Sequence, residues 1–262
     1  MKIADYHLHS QFSRDGMQTM DDACNKAIQL GISELCFTDH LEFADNYWVD
    51  YPEYRRSIEV AQMKFQKELT IKVGLEIGFD KKAQQQIKEY LEGKDFDFLI
   101  GSLHWIDEVD LFNGEFFRGK RVQDAIREYF QALQERISLF DFSVLGHITL
   151  FKRFFERLKV SPSDFDWSNY DGLLQAILQD LIDQGKGIEL NTRVPLIDLD
   201  FRILRLYKKL GGEIVTLGSD AHHFRSMHTM KEGFQALQDA GFRYYCVFEH
   251  RKPQFIVIDD ES

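Results

Sequence analysis

The feature that most constrains this chain is a rhythm. Short apolar runs with strand character alternate with amphipathic helical stretches, and run after run stops at a histidine or a carboxylate. The first run ends in Asp5-Tyr6-His7-Leu8-His9. Side chains two apart on a strand share a face, so His7 and His9 can bring two imidazole nitrogens to one point beyond the strand's carboxyl end, as metal ligands do. A lone His-x-His is a weak signal. Its company makes it strong: Thr38-Asp39-His40, Gly74-Leu75-Glu76, Gly101-Ser102-Leu103-His104, Gly146-His147 and Ser219-Asp220-Ala221-His222 all end strand-like runs.

Apolar periodicity predicts strands at 3–7, 35–38, 71–77, 97–103, 143–145, 187–191 and 213–217, with further strand-like pieces at 244–248 and 255–258. Helical patterns cover 53–69, 81–91, 123–140, 171–184, 200–210 and 229–240. Another follows the capping box Thr19-x-x-Asp22 and stops at Gly31. An aromatic and acidic insertion fills 41–52, and 154–169 is irregular. Strands alternating with helices imply parallel pairing through helical crossovers. An open doubly wound sheet gathers its functional residues at one crevice. Here candidate ligands sit at the end of almost every strand, which favours a closed β/α barrel with its site at the strands' C-terminal ends. No Gly-x-Gly-x-x-Gly or P-loop follows the first strand, so a nucleotide site has no support.

With 262 residues the chain can bury a sizeable core, and we read 1–262 as a single α/β domain. A net charge of −11 argues against a long nucleic-acid surface, although local cations still permit a small anionic substrate. Cys24, Cys36 and Cys246 lack metal or redox spacing and read as buried thiols of a reducing cytosol. No run approaches transmembrane length, and no charged segment leads into an apolar leader, so a soluble cytoplasmic protein is expected. Nothing in the sequence sets an oligomeric state.

Six histidines (His7, His9, His40, His104, His147, His222) with Glu76, Asp15 and Asp220 exceed what one ion uses, so two or three ions are expected. Glu76, ending a buried run, is the natural bridge. Imidazole and carboxylate without thiolate suit Zn, Fe or Mn. His223, His228 and His250 lack the strand-end context and are expected at the surface or behind the ligands.

These motifs, with Ser13-x-Asp15-Gly16, resemble the PHP (polymerase and histidinol phosphatase) superfamily over essentially the whole chain, and most of all its monofunctional histidinol-phosphatase branch. The resemblance implies a distorted (β/α)7 barrel and a trinuclear centre. His7, His9, Glu76 and Asp220 would hold one ion, Glu76, His104 and His147 a second, and Asp15, His40 and His222 a third. Some relatives have His where this chain has Asp15. The activity implied is hydrolysis of a small phosphomonoester, L-histidinol phosphate by preference, by a hydroxide bridging two cations. Arg153 and Arg193 match the branch's phosphate clamps, a role suited to the bidentate guanidinium. Asp220 would move the proton. Glu42, in the aromatic and acidic insertion, either offers its carboxylate to a cationic leaving group or packs the barrel mouth. A phosphodiesterase or exonuclease would need a basic track that the scattered Lys and Arg do not make. A structural barrel would not need the full ligand set. A protein tyrosine phosphatase is the remaining rival.

Overall fold

The computed structural model describes residues 2–258. Seven parallel strands follow one another around a nearly closed barrel: β1 (Ala4–Leu8), β2 (Glu34–Phe37), β3 (Thr70–Gly78), β4 (Phe98–Ser102), β5 (Val144–Leu145), β6 (Gly187–Asn191) and β7 (Val215–Gly218). The outer helices are α1 (Met20–Leu30), α2 (Tyr51–Phe65), α3 (Gln84–Leu91), α4 (Val122–Ile137), α5 (Asp171–Asp183), α6 (Asp198–Lys209) and α7 (Lys231–Asp239). The strands are buried because helices cover the barrel outside and side chains fill it inside.

The seam between β7 and β1 is thin. It consists of the Asp220 N–H donating to His7 O at 2.7 Å and the His9 N–H donating to Ala221 O at 2.9 Å. Asp5 pins it from the side, accepting from the Ser219 N–H at 2.9 Å and the Ser219 hydroxyl at 2.5 Å. The seam therefore runs through two of the motifs, and closing the barrel brings His7 and Asp220 together.

Local chemistry accounts for the helix ends. Thr19 accepts from the Asp22 N–H at 3.1 Å, and Gly31 ends α1 at φ 74°. Two helices differ from expectation. α2 begins at Tyr51, ahead of Pro52, because Asp50 caps it and a proline in the first turn forfeits only an N–H without a helical partner. The 81–91 stretch opens as a 3-10 turn, Lys81–Ala83, before α3. The 41–52 insertion is more ordered than its composition suggested. His40–Glu42 pairs antiparallel with Tyr47–Trp48 and parallel with β3, which sets His40 opposite Glu76.

The last two strand-like pieces form an antiparallel hairpin, β8 (Tyr244–Glu249) and β9 (Lys252–Val257). It lies under the N-terminal end of the barrel, where the Arg251 N–H donates to Asp97 O at 2.9 Å. Phe98 packs there edge-on against Tyr6 at 5.1 Å and against Phe248 at 4.8 Å. Each aromatic pair adds about 0.5–1.5 kcal/mol beyond area burial. The floor is thus plugged, and access is from the opposite end.

Candidate metal centre

All six strand-end histidines, with Glu76 and Asp220, converge at the C-terminal mouth. His7, His9, Glu76 and Asp220 are buried. Glu76 lies at the centre, its two oxygens facing different groups. Oε2 is 3.3 Å from His7 Nε2, 3.4 Å from His9 Nε2 and 3.0 Å from His40 Nδ1. Oε1 is 2.8 Å from His147 Nε2 and 3.3 Å from His104 Nε2, and accepts from the Ser102 hydroxyl at 2.6 Å. Asp220 Oδ1 stands 3.8 Å from His7 Nε2 and 3.6 Å from His9 Nε2. Asp15, exposed at the rim, reaches His40 Nε2 at 3.4 Å and His222 Nε2 at 3.0 Å. Two ligand bonds of ~2.0–2.1 Å at a tetrahedral angle set donor atoms roughly 3.3 Å apart. The spacing here fits that cage, and the donor set, imidazole and carboxylate without thiolate, fits a borderline transition metal. Among the described residues four overlapping triads each bring three donor atoms within 4.8 Å of one another, among them His7/His9/Glu76, His40/Glu76/His104 and His9/His40/His222. His9 therefore reaches toward the outer group as well as the inner one.

Supporting residues turn the rings the right way. Glu189 Oε1 is 2.6 Å from His7 Nδ1 and Glu42 Oε2 is 2.8 Å from His104 Nδ1. A carboxylate only accepts, so both rings donate from Nδ1 and present Nε2 inward. His9 Nδ1 meets Ser13 Oγ at 3.0 Å, while Ser13 spends its own proton on Asp39 at 2.7 Å. His9 must then donate from Nδ1 too. The Nε2 atoms of His7 and His9 consequently face each other at 3.1 Å with both Nδ1 positions committed. Two lone pairs at that distance repel unless a cation lies against them. Without a metal the cation is a proton. Burial alone would lower His7, but Glu189 and Glu76 lift it well above its ordinary value, while burial, His222 and His40 hold His9 well below. Against the burial penalty, Glu76 chiefly pushes His40 up to about 10 and His104 up to about 9. Burial also opposes the Glu76 charge, yet His7, His104 and His40 keep it well below the carboxylate range.

Glu42 lines the mouth cavity and at the same time supports a ring of the site. It is 8% exposed, its carboxylate is committed to His104, and it fills the space that a Cβ at Gly78 would occupy. Only a glycine on β3 admits it. Glu189 and Asn191, on β6, were not anticipated. The Glu189 carboxylate accepts from the His147 N–H at 2.7 Å as well as holding His7, and Gly218 is needed because its Cβ would fall 2.2 Å from Glu189 Oε1. Asn191 donates to Asp220 Oδ2 at 3.2 Å and accepts from Arg153. The available signal was the alternation Glu189-Leu190-Asn191, which puts two polar side chains on one face of a buried strand.

Arg153 and Arg193 enter the mouth from the segments after β5 and β6. Arg153 pairs with Asp220 Oδ2, and Arg193 with Asp220 Oδ1 at 2.8 Å. Burial opposes the Asp220 charge, but Arg153 and His7 hold it well below the carboxylate range. Asp220 also sits at φ 52°, a region uncommon for non-glycine residues and tolerated where a site over-determines the backbone. Of the remaining histidines, His228 Nε2 meets Thr192 Oγ1 at 2.8 Å, His223 caps a 3-10 turn, and His250 is exposed. The three cysteines are free and buried. No helix among the described residues is long and apolar enough to cross a membrane. The mouth opens into a cavity of about 390 Å³, whose outer wall includes Asp45, Asp110, Tyr47, Trp105 and Phe112.

This arrangement defines a β/α barrel with groups of metal-capable side chains at its mouth. The PHP domain matches residues 5–193, and the chain belongs to that family. Asp220 and His222 lie beyond the matched stretch and complete the same mouth. The chain is 30% identical to the histidinol-phosphatase of Lactococcus lactis subsp. lactis, covering 96% of each chain, and 28% identical to a probable histidinol-phosphatase of Thermotoga maritima, covering 94% of this chain and 95% of that one. Its fold is similar to the crystal structure of histidinol phosphate phosphatase from Lactococcus lactis complexed with zinc, L-histidinol and phosphate, with a TM-score of 0.85 at 29% identity over 97% of this chain and 99% of that one.

Proposed function

We infer that this chain is a metal-dependent phosphomonoesterase that hydrolyses L-histidinol phosphate to L-histidinol and phosphate, a step of histidine biosynthesis. The observation that carries the reading is the convergence of the His7 and His9 Nε2 atoms, 3.1 Å apart, on the Glu76 carboxylate, with both Nδ1 atoms committed elsewhere. We assign three divalent ions, zinc in the first place with iron or manganese as substitutes. His7, His9, Glu76 and Asp220 would hold one, Glu76, His104 and His147 the second, and Asp15, His40 and His222 the third. When bound, such ions make water a nucleophile near neutral pH and offset charge on the phosphoryl oxygens.

The remaining work falls to the chain's own groups. Arg153 and Arg193 hold the phosphate dianion and stabilise the charge that grows as water attacks phosphorus. Asp220, between the two guanidiniums, takes the proton of the attacking water and returns it to the alkoxide that departs as the ester P–O bond breaks. Glu42 and Glu189 fix the rings of His104 and His7, and Glu42 also lines the cavity that receives the substrate. The outer wall, with Asp110 and the Arg14–Asp45 ion pair among Tyr47, Trp105 and Phe112, suits a small cationic alcohol. We read residues 1–262 as one functional unit working in the cytoplasm, in keeping with three buried, unpaired thiols.

Phosphate release from a panel of histidinol phosphate, phosphotyrosine, a nucleotide and a phosphodiester tests the assignment. Histidinol phosphate should have the largest kcat/KM. A preference for the diester or for phosphotyrosine would replace this reading with a nuclease or a protein phosphatase.

A further inference from the structure

A second cavity, of about 370 Å³, lies beside the mouth, between the 3-10 turn Phe43–Asp45, the turn Lys81–Ala83, the hairpin 105–110 and the end of α4. Arg136, in the last turn of α4, lines it although only 3% of the residue is exposed. Among the described residues its guanidinium makes one hydrogen bond, from Nη1 to Ala132 O at 2.9 Å within its own helix. Nη2 is 3.7 Å from Asp107 and Nη1 is 3.7 Å from Glu135, beyond hydrogen-bond reach, and the Nε–H has no hydrogen-bond partner among the described residues. A guanidinium offers five N–H donors, and burying one so short of acceptors is unfavourable.

The nearby carboxylates are engaged elsewhere. Glu135 accepts from Lys81 at 3.0 Å, Glu108 pairs with Lys82, and Asp80 accepts from the Lys82 N–H at 2.9 Å. Among the described residues that leaves Asp107 to the arginine, and it stands exposed on the hairpin turn at φ 47°. Phe43, Phe79 and Trp105 add aromatic surface to the same cavity. We propose that this cavity is a second binding site, for a small organic anion whose carboxylate or phosphate head pairs with Arg136 and whose planar apolar body lies against Phe43, Phe79 and Trp105. Trp105 directly follows His104 and Phe43 directly follows Glu42, so an occupant touches both neighbours of the Glu42–His104 hydrogen bond.

Ligand-observed NMR titration of benzoate, phenylphosphonate and neutral benzamide tests the proposal. The background is an Arg153→Ala/Arg193→Ala protein, which lacks the two arginines that pair with Asp220 in the mouth. At least one anion should bind saturably and about tenfold or more tighter than benzamide, a gap of one ion-pairing contact. The tighter head group decides between carboxylate and phosphate. Adding Arg136→Met should erase the preference for the anion. Ala44→Phe, which fills the cavity from the turn Phe43–Asp45, should weaken binding by a similar factor, and it serves where Arg136→Met fails to fold. Equal binding of anion and amide, no saturable binding, or unchanged binding in a folded variant of either kind would overturn the proposal.

Discussion

Both ends of the barrel bury a glutamate, and they handle it in opposite ways. At the floor, Glu34 is 1% exposed, accepts from the Tyr6 hydroxyl and pairs with Lys2 at 2.5 Å. The Phe248 N–H donates to the same phenol at 2.8 Å. Every group meets a complementary partner from the chain itself, as a structural buried charge must. At the mouth, Glu76 is also 1% exposed but faces imidazole nitrogens of five histidines and the Ser102 hydroxyl. A carboxylate has about four lone-pair sites, and the histidines around it confront one another. A buried charge with mutually repelling partners marks a place where something else completes the set, whereas a self-satisfied one marks stability.

The sharpest way to break this comparison is to neutralise each glutamate in turn. Glu76→Gln should drop bound metal below half of the wild-type content and lower kcat/KM by at least ~10³, since it removes the charge shared between both inner groups. Glu34→Gln should leave metal content and kcat/KM unchanged while costing about 1–3 kcal/mol in the denaturation midpoint, the usual effect of spoiling a buried hydrogen-bonded pair. Elemental analysis with equilibrium unfolding checks both. Metal loss in the floor variant, or full retention in the mouth variant, would erase the distinction.

Within the mouth, the arginines should separate from the ion-holding groups. Arg153→Ala and Arg193→Ala each remove a donor aimed at developing phosphoryl charge, worth roughly 2–4 kcal/mol, or about 30- to 1000-fold in kcat/KM. Metal content and circular dichroism should stay as in the wild type. Unchanged turnover in either variant would assign that arginine to holding Asp220 alone.

How much of this was legible before folding depends on the kind of residue. His7, His40, Glu76, His104, His147 and His222 stood out because histidine and glutamate are rare endings for an apolar run, and the barrel gives such endings one destination. Glu189 was hidden because it carries no histidine beside it. Its role exists only across the barrel, where His7 and Gly218 leave room for it. Glu42 was legible only in part. Its aromatic and acidic neighbours left open a carboxylate for a cationic group or packing at the barrel mouth, and the strand pair His40–Glu42 and Tyr47–Trp48 turns it inward under His104. The terminal hairpin was visible as two strand-like pieces, yet nothing local revealed that it plugs the floor.

Protons offer a smaller effect that also divides the two ends. In the metal-free protein His104 is pushed up to about 9 and His40 up to about 10, burial opposing and Glu76 prevailing. Each must lose its proton before it can hold a metal, so zinc affinity should climb between pH 6 and 9, by up to about tenfold per unit for each proton displaced. The sign reverses for metal-free stability. A raised histidine stabilises the fold most below its unfolded value of about 6.5, and that contribution is lost as pH rises through about 9 to 10. Zinc titrations and melts over this range test both directions. A flat affinity would mean that the imidazoles are already neutral.

The smallest change is the most discriminating, because it falls one residue from a candidate ligand. Tyr6 and His7 are consecutive on β1 and both buried, yet Tyr6 serves the floor and His7 the mouth. Tyr6→Phe deletes the donor to Glu34 and the acceptor for the Phe248 N–H while keeping the ring against Phe98. Two buried polar groups lose a partner, which costs about 1–3 kcal/mol. In a chain of this size that lowers Tm by roughly 2–4 °C per kcal/mol. Metal content and kcat/KM should not move, because the His7 ring is held by Glu189 rather than by anything at the floor. If Tyr6→Phe instead lowers metal affinity tenfold or more, β1 transmits strain along its length. The two ends would then be one cooperative unit.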